Sequence, residues 1–361
     1  MRKCTVMFAG GGTGGHLTPG IAVSEELGRR DPSIDCIFVG SDRPIEREII
    51  TSAGFTHVAL PVQTLNAAVR NPFRFAIRSY RGLRELRRVS RHYDPAVVVG
   101  LGGFASGLPI WFSRSQGIPT VLLEQNIVAG RMTRLLAKNA DAVCTSFPET
   151  DFKTAKPKRV IWTGNPIRAD IAALHSDHAR SKRQTLLILG GSQGATAVND
   201  CVVSMLPHLK SQLTSWEIVH QTGVWDEDRV RIRYEELGIS ATVAAFYSDL
   251  SPYYANAGLA ITRAGATTLS ELACAGVPSI LVPYPTAKDD HQRKNARFFA
   301  DAGAAEVCEQ AADPKEWIEL TQRLLCDSSV RAKMRQAMKA LAKPNAASLV
   351  ADIVGEFLPG R

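Results

Sequence analysis

Glycine-rich segments are the first places in this chain of 361 residues where residue types and spacing could do chemistry. Their sequences are GGGTGGH at 10–16, GGFASG at 102–107 and GGSQG at 190–194. Glycines let a backbone turn tightly and approach a ligand, and the N–H groups at a helix N-terminus attract phosphate. The segments therefore predict anion-binding turns, although a tight structural turn would give the same pattern.

A histidine, His16, ends the first of these segments. Imidazole titrates near neutral pH, so a histidine at the mouth of a ligand-binding turn can act as a general base. The alternative is a histidine that caps the following helix or fills a polar niche. The segment lacks the Gly-Lys-Ser/Thr ending of a P-loop, and a dinucleotide site would need an acid near the end of the second strand, a role open to Asp42.

The segment RAGATTLSE at 263–271 is a second candidate. A strand ends in small residues and a helix begins with hydroxyl side chains, so the first amides of that helix could hold a diphosphate. Glu271, one turn further on, could accept hydrogen bonds from ribose hydroxyls. The alternative is a capping box, in which Glu271 and Thr268 satisfy the start of the helix.

Two acidic segments are weaker candidates. Residues 289–292 (DDHQ) could reach sugar hydroxyls, or they could simply initiate a helix. Residues 226–228 form a nominal D-x-D motif, which we interpret as surface charge. No cluster of His, Cys and Asp has convincing metal-ligand spacing, so the sequence predicts no metal and no cofactor.

Composition excludes several classes of protein. Apolar residues make up 45% and charged residues 22%, which is ordinary for a well-packed globular chain and not for a disordered or fibrous one. The apolar runs are far shorter than the roughly 20 residues that span a bilayer, and we predict no signal peptide. Seven cysteines without a C-x-x-C pair favour a reducing compartment, and the net charge of +8 suggests an anionic partner.

Much of that charge lies in one segment. Eight arginines and a single acid, Glu85, occur between Arg70 and Arg91. Apolar residues recur at helical spacing beside them, which predicts a basic amphipathic helix of the kind found at anionic membrane surfaces. The alternative is a solvated helix whose apolar stripe packs on the core.

The remaining pattern alternates short apolar strands with helices and then starts again. Strands are predicted at 4–9, 34–39, 57–60, 96–99, 120–123, 142–145 and 159–162, and then at 185–189, 217–220, 242–246, 259–262 and 279–282. Such alternation predicts an α/β fold with two Rossmann-like parallel-sheet domains, each covered by helices on both faces. We place the domains at 1–165 and 166–343, joined near 163–168, with a C-terminal helix in 344–361 that packs back on the first domain.

Seven motifs, in order along nearly the whole chain, resemble one family. They are GGGTGGH at 10–16, GLGGFASGLP at 100–109, EQN at 124–126, GNPIR at 164–168, GGSQGA at 190–195, TRAGATTLSELACAGVPSILVPYP at 262–285 and DDHQRKNA at 289–296. The chain resembles the MurG family, the UDP-N-acetylglucosamine–N-acetylmuramyl-(pentapeptide) pyrophosphoryl-undecaprenol N-acetylglucosamine transferases of bacterial cell-wall synthesis.

The resemblance implies a GT-B fold with two domains facing a cleft, the first towards acceptor and membrane and the second towards the UDP-sugar. It implies an inverting glycosyltransferase that moves N-acetylglucosamine from UDP-N-acetylglucosamine to the muramyl 4-hydroxyl of lipid I. The product, lipid II, serves peptidoglycan synthesis and through it cell shape and division.

Site residues follow from the same resemblance. His16 is the implied base, Glu271 the ribose ligand and Gln292 the ligand of the transferred sugar, while the main chain at Phe246 and Tyr247 reads uracil. The other implied donor contacts are Thr13, Gly14, Gly15, Asn126, Arg168, Ser192, Gly265, Ala266, Thr267, Thr268, Leu269 and Ser270. The acceptor pyrophosphate is expected at Gly102, Gly103 and Ser106, and the membrane at Phe73, Arg74, Ile77, Arg78 and Arg81.

The implied partners are UDP-N-acetylglucosamine, lipid I, the anionic inner leaflet and other cell-wall synthesis proteins, with no nucleic acid. The implied location is the cytoplasmic face of the bacterial inner membrane, as a peripheral protein. Three alternatives stay open: a UDP-sugar 2-epimerase on the same fold, an NAD-dependent oxidoreductase, and a non-enzymatic basic protein that binds membranes or nucleic acid.

Overall fold

The computed structural model describes residues 4–12, 14–61, 72–176, 184–191 and 194–359, without the side chains of residues 72, 74 and 75. The chain divides into two compact units. One comprises Met1–Arg168 together with Asn345–Arg361, and the other comprises Ala169–Pro344. Each unit has its own sheet and its own core.

A parallel sheet forms the centre of the first unit. Within the described residues it has seven strands in the order β3-β2-β1-β4-β5-β6-β7. The strands are Cys4–Gly10 (β1), Ile34–Ser41 (β2), Thr56–Leu60 (β3), Pro95–Gly102 (β4), Thr120–Glu124 (β5), Ala142–Thr145 (β6) and Val160–Trp162 (β7). The strand order reverses between β1 and β4, and ligands of open α/β sheets bind at the carboxyl ends of the strands beside such a reversal.

Helices cover both faces of this sheet, so its inner strands are apolar on both sides. They are Gly14–Arg30 (α1), Pro44–Ser52 (α2), Pro72–Tyr93 (α3), Gly107–Ser115 (α4) and Arg131–Ala137 (α5), with a 3-10 turn at Phe104–Ser106. The rings of Phe8 and Phe38 stack at 5.0 Å between centroids on one face.

The second unit repeats the arrangement. The part of it that the structure describes has six parallel strands in the order β10-β9-β8-β11-β12-β13. They are Gln184–Leu189 (β8), Trp216–Gln221 (β9), Thr242–Ala244 (β10), Ala257–Thr262 (β11), Ser279–Leu281 (β12) and Ala305–Val307 (β13). Here the order reverses between β8 and β11, next to two of the segments that the sequence singles out.

The helices of this unit pack on its sheet, and one apolar cluster joins strands of the sheet to four of them. The helices are Ala169–Ala173 (α6), Thr196–Leu213 (α7), Glu227–Glu236 (α8), Ser251–Asn256 (α9), Ala266–Ala275 (α10), His291–Asp301 (α11), Pro314–Cys326 (α12) and Ser328–Leu341 (α13). Among the described residues, no helix in either unit is both long and apolar enough to cross a membrane.

The last helix, Ala346–Gly355 (α14), belongs to the first unit. Val350 and Val354 are buried in the core that β1 and α1 share. Arg30 of α1 donates to the Asp352 carboxylate at 2.5 Å and to the Ser348 carbonyl at 2.9 Å. The final segment therefore joins the first unit through apolar packing and through the hydrogen bonds of the Arg30 guanidinium.

Candidate active site

A buried carboxylate stabilises the first glycine-rich turn. Glu46 of α2 is fully buried and accepts hydrogen bonds from Gly12 N at 2.7 Å and from Ser41 N at 2.9 Å. A Cβ on Gly11 would lie 2.3 Å from Glu46 Oε2, and a Cβ on Gly40 would lie 2.9 Å from it. Both positions are glycine because the carboxylate needs that space.

The second glycine-rich turn packs directly on the first. Gly103 has a φ of +71°, and a Cβ there would lie 2.7 Å from the Gly11 carbonyl oxygen. A Cβ on Gly10 would lie 2.7 Å from Leu101 Cβ. The two turns therefore form one continuous backbone surface at the carboxyl ends of β1 and β4.

His16 lies at this surface, and a buried glutamine holds it. Its Nδ1 is 3.0 Å from Oε1 of Gln125, a residue only 3% exposed at the end of β5. Gln125 Nε2 in turn donates to the carbonyls of Leu101 at 3.2 Å and Leu123 at 3.4 Å. The sequence interpretation missed Gln125, although EQN is one of the quoted motifs.

The residues expected to meet an acceptor pyrophosphate have specific places here. Gly102 has a φ of +89°, and a Cβ on it would lie 3.4 Å from His16 Nδ1. Ser106 is 1% exposed and its hydroxyl donates to the Gly103 carbonyl at 2.9 Å. The Ser106 side chain thus closes its own turn, so only the backbone of this segment is available for the predicted phosphate contact.

An exposed arginine, also missed in the sequence, lies across both turns. Arg43 Nη1 donates to the Gly12 carbonyl at 3.3 Å, and its guanidinium carbon is 5.7 Å from the centroid of the Phe104 ring. Arginine in this geometry adds positive charge to a surface of backbone amides. The first unit therefore has one exposed guanidinium in contact with both turns.

The second unit has a matching turn before α10. Gly265 is the N-cap, and the helix begins at Ala266. The amides in the first turn of an α-helix have no acceptor within the helix itself, and such amides bind phosphate in many proteins. Buried Asn295 donates to the Ala264 carbonyl at 3.3 Å. Arg263 donates to the Val282 and Pro283 carbonyls, each at 3.2 Å, and burial lowers the pKa of its guanidinium. These hydrogen bonds stabilise the turn that precedes α10.

The capping-box interpretation of Thr268 and Glu271 is wrong. Because the N-cap is Gly265, Thr268 is the third residue of the helix and Glu271 the sixth, too far along to cap it. Glu271 is 7% exposed and accepts a hydrogen bond from the Tyr254 hydroxyl at 2.9 Å. A carboxylate held in this way is one turn into the helix, where the ribose hypothesis needs it.

The other residues of this turn differ in what they present. Leu269 is fully buried and Ala266 is 6% exposed, so only their backbone can take part in binding. The Ser270 hydroxyl donates to the Ala266 carbonyl at 3.0 Å. Thr267 and Thr268 are half-buried, which leaves the helix backbone and these two threonines as the predicted phosphate surface.

Gln221, at the end of β9, joins two further segments. Its Nε2 donates to the Gly191 carbonyl at 3.3 Å, and its Oε1 accepts from Tyr247 N at 3.0 Å. The Tyr247 amide is thus used within the protein, whereas the Phe246 side chain is 58% exposed. Backbone contact with a uracil at this point is therefore left to groups other than that amide.

Gln292 lies in the first turn of α11 and accepts from Tyr284 N at 3.0 Å. His291 beside it pairs with the Lys288 carbonyl at 2.8 Å. This hydrogen bond links Gln292 to the segment that follows β12. It also fixes the direction of the Gln292 NH2 group.

Other predicted residues lie outside the described part of the chain or use their backbone within the protein. Thr13 and Ser192 lie outside the described residues, as does the Arg74 side chain. Gly14 and Gly15 open α1, and Asn126 N donates to the buried Glu124 carboxylate at 3.0 Å. Arg168 is the last residue of the first unit's N-terminal part.

The interpretation of Asp226 as surface charge is wrong. Asp226 is 6% exposed and accepts from Asn199 Nδ2 at 2.9 Å. Asn199 Oδ1 lies 3.0 Å from Nε2 of His220, whose Nδ1 lies 3.2 Å from the Tyr234 hydroxyl. Complete burial lowers the pKa of His220 to about 3. Asp226 therefore ends a buried polar network that ties β9, α7 and α8 together.

The basic helix α3 buries the apolar residues of its second half and exposes those near its start. Leu86 and Val89 pack into the core, and a Cβ on Gly82 would lie 3.0 Å from Leu108. The apolar residues nearer its start are exposed: Phe73 by 76%, Tyr80 by 67% and Ile77 by 39%. Trp111 on the neighbouring helix α4 is 58% exposed as well. The alternative in which the stripe of Phe73, Ile77 and Tyr80 packs on the core is therefore wrong.

Parallel sheets with glycine turns at a strand-order reversal, repeated in two units, define a class of α/β proteins that bind ligands at the carboxyl ends of their strands. The glycosyltransferase family 28 N-terminal domain matches residues 6–145, and its C-terminal domain matches residues 185–350. The UDP-N-acetylglucosamine--N-acetylmuramyl-(pentapeptide) pyrophosphoryl-undecaprenol N-acetylglucosamine transferase of Anaeromyxobacter dehalogenans (strain 2CP-C) is 39% identical over 362 residues, covering 99% of this chain and 94% of that one.

Two solved structures have the same fold as this chain. The crystal structure of Acinetobacter baumannii MurG is 29% identical, with a TM-score of 0.77 over 98% of this chain and 99% of that one. A putative UDP-N-acetylglucosamine 2-epimerase from Listeria monocytogenes shares the fold at 15% identity, with a TM-score of 0.69 over 98% and 97% of the two chains. The chain belongs to glycosyltransferase family 28 and, within it, to the MurG transferases. The predicted fold class of two Rossmann-like domains is confirmed.

Proposed function

We propose that this chain transfers N-acetylglucosamine from UDP-N-acetylglucosamine to the muramyl 4-hydroxyl of lipid I and so forms lipid II. The family supports the substrates. The observation that carries the chemistry is His16, half-buried on the surface of two glycine turns and oriented by Gln125 at 3.0 Å. Inverting sugar transfer needs one positioned base, and His16 supplies it.

The proposed step balances as a single displacement. The acceptor oxygen forms a bond to C1 of N-acetylglucosamine while the bond from C1 to the UDP oxygen breaks. His16 Nε2 takes the proton of the 4-hydroxyl, and the departing UDP keeps the electron pair. The negative charge that develops on UDP is stabilised by the amides at the N-terminus of α10.

The donor is proposed to bind on the second unit. The first turn of α10 would hold its diphosphate, and Glu271, fixed by Tyr254, would accept from the ribose hydroxyls. Gln292 would contact the transferred sugar. The segment that Gln221 orders, next to exposed Phe246, would meet the uracil.

The acceptor is proposed to bind on the first unit. The Gly12 amide is used by Glu46, so the backbone of the second turn at Gly102–Gly103 is proposed to meet the pyrophosphate, and Arg43 adds a guanidinium beside it. In this proposal the reacting hydroxyl of the sugar lies near His16.

A lipid-linked acceptor also requires contact with a membrane, and α3 supports that. Exposed Phe73, Tyr80 and Trp111 can enter an interface while exposed arginines of the same helix meet anionic headgroups. We expect Arg81→Gln, Arg84→Gln and Arg87→Gln together to weaken partitioning onto phosphatidylglycerol vesicles by about 100-fold, since each charge contributes about 1 kcal/mol near such a surface.

The matched control neutralises three exposed cations of the second unit: Lys210, Arg297 and Lys333. Vesicle flotation at constant ionic strength measures both triple variants. Equal losses for the two would mean that overall charge, and not α3, governs membrane binding.

The proposed function is tested by UDP release with and without a lipid I analogue. We expect UDP to appear only with the acceptor and one disaccharide to form for each UDP released. Formation of an N-acetylmannosamine product from the donor alone, free or still linked to UDP, would instead identify a UDP-sugar 2-epimerase.

A further inference from the structure

We infer that Gln125 is a positioning residue that fixes the tautomer of His16, so that Nδ1 carries the proton and Nε2 is the basic nitrogen. The inference rests on the proposed function only in taking His16 as the base. The tautomer itself is a property of the free protein.

The orientation of the Gln125 amide is determined by its surroundings. One end of the amide faces two backbone carbonyls, Leu101 O at 3.2 Å and Leu123 O at 3.4 Å. Carbonyl oxygens only accept hydrogen bonds, so the NH2 group must be at that end. The other end, at 3.0 Å from His16 Nδ1, is therefore the oxygen.

This orientation has a consequence for the imidazole. Gln125 Oε1 can only accept, so Nδ1 of His16 must carry a hydrogen to form the 3.0 Å contact. A neutral imidazole with its proton on Nδ1 has its lone pair on Nε2. The base that the proposed reaction needs is thus present before any substrate binds.

Burial makes this constraint strong. Gln125 is 3% exposed and bridges the carboxyl ends of β4 and β5, so a rotated amide would place its oxygen against two carbonyl oxygens inside the protein. Gly102 packs beside the pair: its φ of +89° favours glycine, and a Cβ on it would lie in van der Waals contact with His16 Nδ1 at 3.4 Å and Gln125 Oε1 at 3.6 Å. The strand ends and the glycine turn thus jointly fix one nitrogen of the ring.

Two substitutions separate positioning from packing. Gln125→Met keeps the length of the side chain but removes the acceptor, whereas Gln125→Glu keeps an oxygen facing Nδ1. We expect Gln125→Met to lower kcat about 100-fold with an unchanged Kd for UDP-N-acetylglucosamine, in the range of other losses of a group that orients a catalytic ligand. Gln125→Glu should restore only part of kcat, because its second oxygen faces the Leu101 and Leu123 carbonyls and can donate to them only when it is protonated.

The split between kcat and Kd is a readout that a packing defect would not reproduce. Gln116→Met, at the exposed far end of α4, is the matched control and should change neither kcat nor Kd.

Selective 15N-histidine NMR of the free protein tests the tautomer without any assay of activity, with His16→Asn to assign the signal. We expect an unprotonated Nε2 in the native protein and a shift towards protonated Nε2 in Gln125→Met. A protonated Nε2 in the native protein would overturn the inference, as would Gln125→Met with native kcat. If the native protein shows the expected tautomer but transfers no sugar, the proposed function fails and the inference about Gln125 stands.

Discussion

The carboxylate of Glu46 offers the sharpest test of how the first glycine turn is held. It accepts three hydrogen bonds while fully buried: Gly12 N at 2.7 Å and Ser41 Oγ at 2.6 Å on Oε1, and Ser41 N at 2.9 Å on Oε2. Glu46→Gln keeps the shape, but its NH2 group must face at least one N–H donor. One charge-assisted bond is lost and a buried donor is left unpaired.

The expected cost follows from that count. Losing a hydrogen bond to a charged acceptor costs about 1.5–3 kcal/mol, so we take about 2 kcal/mol for Glu46→Gln. For a unit of this size each kcal/mol lowers the Tm by about 2–4 °C, which gives a shift of about 4–8 °C. Ser41→Ala removes only the hydroxyl and leaves both amides on the carboxylate, so we expect about half that shift.

Differential scanning calorimetry measures these shifts. Glu48→Gln is the matched control, because Glu48 lies on the same helix and is exposed. A Tm for Glu46→Gln within about 1 °C of the native value would refute the role of this carboxylate, since a shift that small corresponds to well under 1 kcal/mol. A shift for Ser41→Ala equal to that for Glu46→Gln would show that the hydroxyl alone matters.

Two further predictions concern the second unit. Burial lowers the pKa of His220 to about 3, so the unfolded chain takes up a proton below about pH 6.5 that the folded chain refuses. The neutral histidine's contribution to stability is thus complete above pH 6.5 and is lost as the pH falls towards 3, by about 2 kcal/mol at pH 5. Urea unfolding at pH 7 and pH 5 should show this loss, and a His220→Gln variant with the same pH dependence would contradict it. Tyr254→Phe removes the hydroxyl that holds Glu271 and should raise the Kd for UDP about five-fold, equivalent to about 1 kcal/mol. Calorimetric titration with UDP checks this, and an unchanged Kd would argue against Glu271 as the ribose ligand.

The glycine turns and the alternation of strands and helices could be predicted from the sequence because both are local signals. Each glycine run follows its strand directly, and apolar strands mark buried parallel sheets. The edge strand β13 was missed because it has only three residues, Ala305–Val307, and lies in a half-polar segment.

The side chains that support the turns could not be predicted, because the sheet brings them together from far apart. Glu46 is 34 residues from Gly12, and Gln125 is 109 residues from His16. Neither pairing leaves a spacing that can be recognised in one sequence. Only the order of strands β1, β4 and β5 places Gln125 beside His16.

A helix boundary explains the capping-box error: that interpretation starts α10 at Thr268, three residues after the N-cap at Gly265. In α3, periodicity predicts an amphipathic helix but does not show which of two apolar stripes meets the core. Leu86 and Val89 do so, which leaves Phe73 and Tyr80 exposed.

The disaccharide formed from UDP-N-acetylglucosamine and a lipid I analogue gives the most direct test of the central claim, which is inverting transfer to an acceptor that His16 deprotonates. NMR of the isolated product reports both the position and the configuration of the new linkage. We predict a β-linkage to O4 of the muramyl sugar, formed by the native protein and at least 100-fold more slowly by His16→Ala, the lower end of what general base catalysis contributes. An α-linkage, or an undiminished rate in His16→Ala, would contradict the account.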